Sequence, residues 1–273
     1  MNASAFTRYV LARRPVLTAM QVGVGIVIIL IWQGLISFHI VGSYELSTPW
    51  QVVSQIGSWL AHGVPASETE ANQSLWIDIG ATLEVAALGL AFALLLGTAV
   101  GLLAGILPIA KYFFSPFLGF FNAVPLLILI PCLVFWLGFG NLPVVLLVAI
   151  TQLFLIAAVV EGAAREIQGV LIQHARALGA TWPQMVRTVY LPGVAIWIVS
   201  VLRQSVGHAI VGAIVFEFFG ANAGLGFLIH TEQINNLPRG IYAGVLVASL
   251  VACVFDFGLR MVDKRVGRYL PQQ

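Results

Sequence analysis

Four polar residues that could act on a solute lie in a stretch that is otherwise almost entirely apolar. They are Arg203, Gln204, His208 and Glu217, and the apolar block that contains them covers residues 193–219. Gln204 and His208 are four residues apart and share one helix face, whereas Arg203 lies on the neighbouring face. A charged side chain inside an apolar span is costly and is by default a candidate functional group. Arg203 could attract an anion along a transport path, or it could pair with a carbonyl or carboxylate group that holds helices together.

Other polar residues in apolar blocks allow similar alternatives. Asn122 could line a path, although amide side chains also bridge membrane helices. Glu217 lies near the outer end of its block, where pairing with another group or contact at a gate is favoured over catalysis. Glu84 has the same interpretation. The pattern therefore indicates a transport path or helix contacts rather than a reaction centre.

Catalytic, metal and nucleotide sites have no support in the sequence. Three histidines are scattered over the outer segments without metal-ligand spacing, namely His39, His62 and His230. No Ser-His-Asp or Cys-His arrangement can be assigned. The two lysines, Lys111 and Lys264, lie outside any G-x-x-x-x-G-K-[ST] phosphate loop, so the chain is not expected to hydrolyse ATP itself. Cys132 and Cys253 lie in apolar blocks and are predicted to form no disulfide.

The composition is that of a membrane protein. Hydrophobic residues make up 60% of the 273 residues and charged residues only 9%, whereas soluble domains have about 25% charged residues. The net charge of +2 gives no argument for nucleic-acid binding. A helix needs about 20 apolar residues to cross the hydrocarbon, and six blocks of suitable length predict six spans. These blocks are 17–38, 79–107, 115–138, 141–161, 193–219 and 240–261.

The positions of lysine and arginine predict the orientation of these spans. With the N-terminus inside, most basic residues fall on the inner side, among them Arg8, Lys111, Arg187 and Lys264, and only Arg239 falls on the outer side. We therefore expect an all-α polytopic protein with both termini in the cytoplasm. The predicted parts are a cytoplasmic tail (1–16), a first span (17–38), a periplasmic segment (39–78), a core (79–262) and a second cytoplasmic tail (263–273).

The longest predicted inner connection, residues 161–192, has a readable helical pattern. Apolar residues recur at helical spacing up to Leu178, with basic and amide residues on the other side, which predicts an amphipathic helix. Gly179 is placed where a helix ends in a left-handed cap. Thr181 and Gln184 match a capping box that starts a second helix, and Pro192 would mark the start of the fifth span. Such a segment could lie on the membrane surface or dock into a soluble partner.

The same segment resembles the cytoplasmic loop of bacterial ABC importer permeases. That loop reads E-A-A, three residues, Gly, nine residues, Ile, one residue, Leu-Pro. The matching positions here are Gln173, His174, Ala175, Gly179, Val189, Leu191 and Pro192, with departures at Gln173, His174 and Val189. In that family, the loop forms a coupling helix that rests in a groove of the ATPase subunit. The resemblance implies that Arg176, Ala177, Leu178, Gly179 and Ala180 form the coupling contact between spans 4 and 5.

Two further motifs resemble the nitrate, sulfonate, taurine and bicarbonate branch of this family. The third span matches the pattern of two prolines followed by Trp-x-Gly-x-Gly through Pro125, Pro131, Trp136, Gly138 and Gly140. The end of the fifth span matches a glutamate followed by Gly-Leu-Gly, and the matching residues are Glu217, Gly224, Leu225 and Gly226. The likeness covers about residues 75–265.

The resemblance implies a permease subunit of an ATP-driven importer in the bacterial inner membrane. Such a chain is not an enzyme and holds no cofactor, because ATP and Mg²⁺ are bound by partner ATPase subunits. A periplasmic or lipid-anchored binding protein would deliver a small solute, and a second permease chain, expected to be an identical copy, would complete the path. The branch implies an organic or inorganic anion as solute. Along the path, the candidate residues are Arg203, Gln204, His208, Asn122 and Glu217.

An alternative function is a secondary transporter or channel that uses Arg203 and Glu217. It would require a weak internal repeat with paired broken helices, and the sequence shows none. It also gives the inner segment 161–192 no role. Finally, Gly97, Gly101 and Gly105 form two consecutive small-xxx-small steps, which predict a close helix contact, with the interface between two permease chains as one option.

Overall fold

The computed structural model describes residues 3–38, 40, 42, 45–64, 74–167 and 169–266, and the regular elements in this part of the chain are helices. His39 and the end of the predicted tail, 267–273, lie outside the described residues. Five helices are long and apolar enough to cross a membrane, and the number is six when the bent pair Pro108–Ala123 and Leu127–Leu137 is counted as one span. The all-α fold with six spans is therefore confirmed if the bent pair is counted as one. The predicted orientation defines the inner and outer ends of each span.

Two helices precede the core. Helix α1 (Ala3–Ser37) begins much earlier than the predicted first span, so residues predicted as a tail continue that span as helix. Helix α2 (Pro49–His62) lies in the outer segment and has no counterpart among the predicted spans. Its start is fixed by a capping box between Thr48 and Gln51 and by Pro49 in the first turn. Val52 and Trp59 form its buried face.

The third span is broken rather than straight. The second and third spans comprise α3 (Leu75–Ile106), α4 (Pro108–Ala123), a 3₁₀ turn (Leu126–Leu129) and α5 (Ile130–Leu137). The predicted span 115–138 is not one straight helix, because its two parts bend by 87°. Pro125 disfavours helical geometry at the preceding residue, and Val124 is accordingly extended with ψ 130°. The chain thus turns sharply inside the third crossing.

The fifth span continues without interruption into the inner segment. The next elements are α6 (Asn141–Glu166), α7 (Gly169–Ala177), α8 (Trp182–Met185) and α9 (Leu191–Gly220). A π-helical turn, Val186–Tyr190, joins α8 to α9, so Pro192 lies inside a continuous helical run and does not start the span. Proline lacks an N–H and its ring crowds the carbonyl group four residues earlier. We attribute the wider π turn before Pro192 to this crowding.

A short helix lies on the outer side, between the last two spans. Helix α10 (Leu225–Ile234) follows the end of α9, and α11 (Pro238–Val266) forms the sixth span. The buried apolar residues of α10 include Leu225 and Leu228, which belong to one cluster with Val52 and Trp59 of α2. Helix α2 therefore packs against α11 and shares an apolar cluster with α10.

The core is a bundle of α3, α6 and α9. Fully buried apolar side chains such as Val148, Ile156, Val160 and Val194 lie in one cluster that these helices share. Small residues on α3 let α6 approach closely, as predicted for Gly97, Gly101 and Gly105. A Cβ atom on Gly101 would lie 2.6 Å from the carbonyl oxygen of Ala157. The glycine stripe therefore contacts a helix of the same chain, and the optional assignment of this stripe to a chain–chain interface is wrong.

Candidate functional site: the two ends and the middle of the fifth span

The inner turn has the geometry that its local sequence predicts. Gly179 ends α7 with φ +74°, and the Ala180 amide donates to the Ala175 carbonyl group at 3.0 Å. The Gly179 amide donates to the carbonyl group of Arg176 at 2.9 Å. These two bonds form a Schellman motif, which requires a left-handed residue at the Gly179 position. The helix cap predicted at this glycine is confirmed.

The helix that follows the turn starts at the predicted capping box. The Thr181 amide donates to Gln184 Oε1 at 2.7 Å, and Pro183 lies in the first turn of α8. Because α8 continues through the π turn into α9, the direction of the fifth span is fixed at Thr181. The inner turn is therefore joined directly to the helical run of the fifth span, and the two are expected to move together.

The inner segment is anchored on one side and exposed on the other. Ile167 lies against Gly193 of α9, while Ala175 and Ala180 contact the core cluster. The predicted contact residues from 176 to 179 are exposed, and Leu178 retains 88% of its accessible surface. Of the five predicted contact residues, only Ala180 is turned partly inward.

The middle of α9 carries a line of polar side chains. Gln204 and His208 are exposed on one face, as their spacing predicts, and Ser200 extends the line by one turn. Arg203 is half-buried on the neighbouring face. Lipid is an unfavourable neighbour for such a line, so it must face water or another protein surface. Ser200 is not among the residues predicted for the path, although its spacing of four and eight residues from Gln204 and His208 indicates the same helix face.

Asn122 does not belong to this line. Its amide nitrogen donates to the carbonyl groups of Leu118 at 2.8 Å and Phe154 at 3.4 Å. The first bond lies within α4 and the second reaches α6, so the side chain joins two helices. This is the bridging role that membrane helices commonly give to amides.

Glu217 lies at the outer end of α9 and is 1% exposed. Its Oε2 atom accepts from the Thr82 hydroxyl group at 2.8 Å and from the Gly226 amide at 3.0 Å. The Leu225 amide donates to Thr82 Oγ1, and the Gly224 amide donates to Asp78 Oδ1. Three successive amides at the start of α10 are thus satisfied by three side chains. We call Asp78, Thr82 and Glu217 together the outer cap.

Glu232 is a second buried carboxyl group of α10, outside the spans, with 2% of its surface exposed. Its side chain lies against Gly240 in the first turn of α11, where the helix dipole favours negative charge. Burial raises the pKa of this carboxyl group above its ordinary value, although the charge of Arg239 lowers that pKa by a smaller amount. The ionised form is therefore disfavoured in the folded protein relative to the unfolded chain.

Replacing Glu232 by glutamine is expected to remove a pH-dependent part of the stability. A raised pKa in the folded state means that stability is present at acidic pH and is lost as pH rises through that pKa. As the pH rises from about 4.5, the ordinary pKa of the group, through the raised pKa, the melting temperature of the detergent-solubilised wild type should fall relative to that of E232Q. A difference between the two melting temperatures that does not change with pH would contradict this.

Comparisons with known proteins agree with this architecture. A family profile described as the binding-protein-dependent transport system inner membrane component matches residues 93–268. The chain is 27% identical to the taurine transport system permease protein TauC of Escherichia coli strain K12, covering 95% of this chain and 91% of that protein. It is 26% identical to the putative aliphatic sulfonates transport permease protein SsuC of Bacillus subtilis strain 168, covering 88% and 83%.

Solved transporters share the fold. A bacterial ABC transporter involved in the import of alginate aligns with a TM-score of 0.61 and 15% identity, covering 95% of this chain and 99% of that one. An inward-facing form of the MetNI methionine ABC transporter aligns with a TM-score of 0.55 and 23% identity, covering 69% and 97%. At these identities the likeness supports the arrangement of helices alone.

Proposed function

Because the chain belongs to the binding-protein-dependent transport system inner membrane component family, we propose that it forms half of a membrane path that alternates between outward and inward access. The chain is a multi-pass permease subunit of an inner-membrane ABC importer and is not itself an enzyme. In the proposed complex, separate ATPase subunits bind ATP and Mg²⁺. A binding protein delivers the solute from outside, and a second copy of this chain completes the path.

The inner turn is the observation that carries this proposal. Residues 176–179 are exposed at a turn whose backbone is fixed by a Schellman motif and a capping box. The turn is joined to α9 through a continuous helical run from Trp182 to Gly220. A partner that moves the turn would therefore move the fifth span. This is the mechanical requirement for ATP-driven switching of a path, and we propose Arg176, Ala177, Leu178, Gly179 and Ala180 as the contact.

The polar line on α9 is our candidate for the path. Ser200, Gln204 and His208 present hydrogen-bonding groups along one face, with Arg203 beside them. Two copies of the chain could enclose such a face, which would keep it away from lipid. Asn122 and Glu217 are weaker candidates, since Asn122 bridges helices and Glu217 belongs to the outer cap.

Alanine at Gln204 or His208 is expected to lower solute uptake about fivefold, since one polar contact contributes about 1 kcal/mol. The basal ATPase rate of the complex should stay unchanged, because the substituted side chains are remote from the inner turn. Val211→Ala, which truncates an exposed apolar side chain on the same helix, is the matched control. If uptake by both polar variants equals that of the control, the assignment of this face to the path is wrong.

We propose a small sulfonate as the solute class. TauC and SsuC are named for taurine and aliphatic sulfonates, and both align over most of this chain. A guanidinium group matches the oxygen geometry of a sulfonate group as it does that of phosphate, which supports a role for Arg203. A secondary transporter that uses Glu217 is not favoured, because the Oε2 atom of Glu217 already accepts two hydrogen bonds within the outer cap.

The test is uptake into proteoliposomes that contain this chain and its ATPase subunits. Radiolabelled taurine and its binding protein would be supplied outside and ATP enclosed inside. Uptake should require ATP and the binding protein, and an ATPase variant that binds but does not hydrolyse ATP should abolish it. Uptake that follows an ion gradient without ATP would instead identify a secondary transporter.

A further inference from the structure

We propose that α10 is a lever that transmits docking of the binding protein on the outer side to the inner turn, and that the outer cap consists of positioning residues for this transmission. The inference rests on the proposed function, because it requires a binding protein and an ATPase. The proposal gives a role to Thr82 and Asp78, which belong neither to the proposed transport path nor to the inner turn.

The outer cap joins three elements at one point. Asp78 and Thr82 come from α3, Glu217 comes from α9, and the amides that they bind open α10. Thr82 is central, since its hydroxyl group donates to Glu217 and accepts from Leu225. Each bond lies in a buried environment, where water cannot replace it. A displacement of α10 must therefore move the outer ends of α3 and α9 or break this network.

The contact between α10 and α9 is close as well as hydrogen-bonded. A Cβ atom on Gly226 would overlap the carbonyl oxygen of Ile214, and one on Gly224 would overlap the carboxyl group of Glu217. Gly224 also has φ +109°, which side chains with a Cβ atom rarely adopt. The Gly-Leu-Gly sequence thus lets the start of α10 lie directly on α9. Such a joint leaves little room for α10 to move independently.

The fifth span continues the route to the inner side. The helical run from Trp182 to Gly220 has 39 residues, which corresponds to about 58 Å of helix. Glu217 lies near its outer end, and Thr181 of the inner turn precedes its inner end. The only irregular turn along this run is the π turn at Val186–Tyr190. One described element thus connects the outer cap to the proposed ATPase contact.

Two observations distinguish this joint from an ordinary core contact. Glu217 Oε1 is buried and accepts no hydrogen bond within the described part of the chain, and a half-satisfied buried carboxyl group is costly in a static contact. In addition, α10 ends at Ile234, which is 64% exposed, and leads into an exposed turn at 235–237. On the predicted orientation this turn faces the side from which the binding protein approaches, so it can receive the docking contact.

The experiment uses the full complex of this chain, its ATPase subunits and its binding protein in nanodiscs. The ATPase rate is measured with and without the binding protein loaded with solute. Thr82→Val removes the central hydroxyl group at nearly constant volume. We expect T82V to reduce stimulation by the binding protein about fivefold or more, with an unchanged basal rate and unchanged binding-protein affinity. Thr82→Ser keeps the hydroxyl group and should restore stimulation.

Thr151→Val is the matched control, because the Thr151 hydroxyl group donates to the Val148 carbonyl group within its own helix. If T82V does not assemble, Asp78→Ala carries the test, since it removes one of the three amide contacts and leaves two. Wild-type stimulation in T82V or D78A would overturn the lever, as would an equal loss of basal and stimulated rates. A wild-type complex that the binding protein does not stimulate would instead contradict the proposed function.

Discussion

Replacement of Gly101 by leucine is expected to prevent accumulation of the folded permease. A Cβ atom at this position would lie 2.6 Å from the Ala157 carbonyl oxygen and 2.8 Å from Val160 Cβ. The first obstacle is backbone, which cannot rotate away as a side chain end can. Overpacking costs about 1–3 kcal/mol, occasionally more, and leucine adds three further carbon atoms to the same space. Free energies of unfolding are only about 5–15 kcal/mol. This one substitution is therefore expected to remove a large part of the folding stability.

The measurement is the monodisperse yield of detergent-extracted protein on size-exclusion chromatography, together with its melting temperature. Gly80→Leu is the matched control, because Gly80 lies on the same helix with open space around its Cβ position. G80L should behave as the wild type while G101L is lost or melts much earlier. Equal melting temperatures for the two variants would show that α3 and α6 are less closely packed than this contact implies.

The glycine stripe illustrates what the sequence could and could not predict. Small residues at every fourth position predict that some helix approaches closely, and the approach is observed. The pattern does not predict which helix packs against the glycines, because that depends on the packing of the whole bundle. The contact is with α6 of the same chain, so an interface between chains was not needed to explain it.

The two ends of the fifth span differ for the same reason. Gly179, Thr181 and Gln184 lie within a few residues of each other, so local rules predicted the inner turn correctly. Thr82 and Glu217, in contrast, are separated by 135 positions. The sequence indicated that Glu217 would be paired, but its partner could not be identified before the spans were placed side by side.

The outer segment and the third span are harder to predict from the sequence. The apolar pattern of the outer segment is weak, and the helix of the third span is broken. Helix α2 is short, and its buried residues are few, so a search for blocks of about 20 apolar residues passes over it. In the third span, Pro125 belongs to a motif that the sequence shares with a known family. Its effect on the preceding residue, an extended Val124, is what breaks the helix.

Replacement of Gly179 by valine is expected to release the ATPase from the complex. Gly179 has φ +74°, and the space around its Cβ position is open. The obstacle to valine is therefore backbone conformation and not a clash with a neighbour in this chain. A β-branched residue in the left-handed region is strained by about 1–3 kcal/mol. Relief of that strain would turn α7 away from α8 and displace Leu178, so we expect about tenfold or greater loss of ATPase binding and uptake.

The measurement is co-purification of the ATPase subunits with tagged permease from native membranes, identified by mass spectrometry, together with solute uptake. Asparagine is the matched control at the same position, because it tolerates the left-handed conformation better than other side chains. G179N should keep most of the ATPase and G179V should lose it, although both add a Cβ atom. Because the two variants differ mainly in backbone preference, this contrast assigns the effect to the shape of the turn. Full recovery of the ATPase with G179V would mean that the inner turn is not the coupling contact, whatever the fold of the spans.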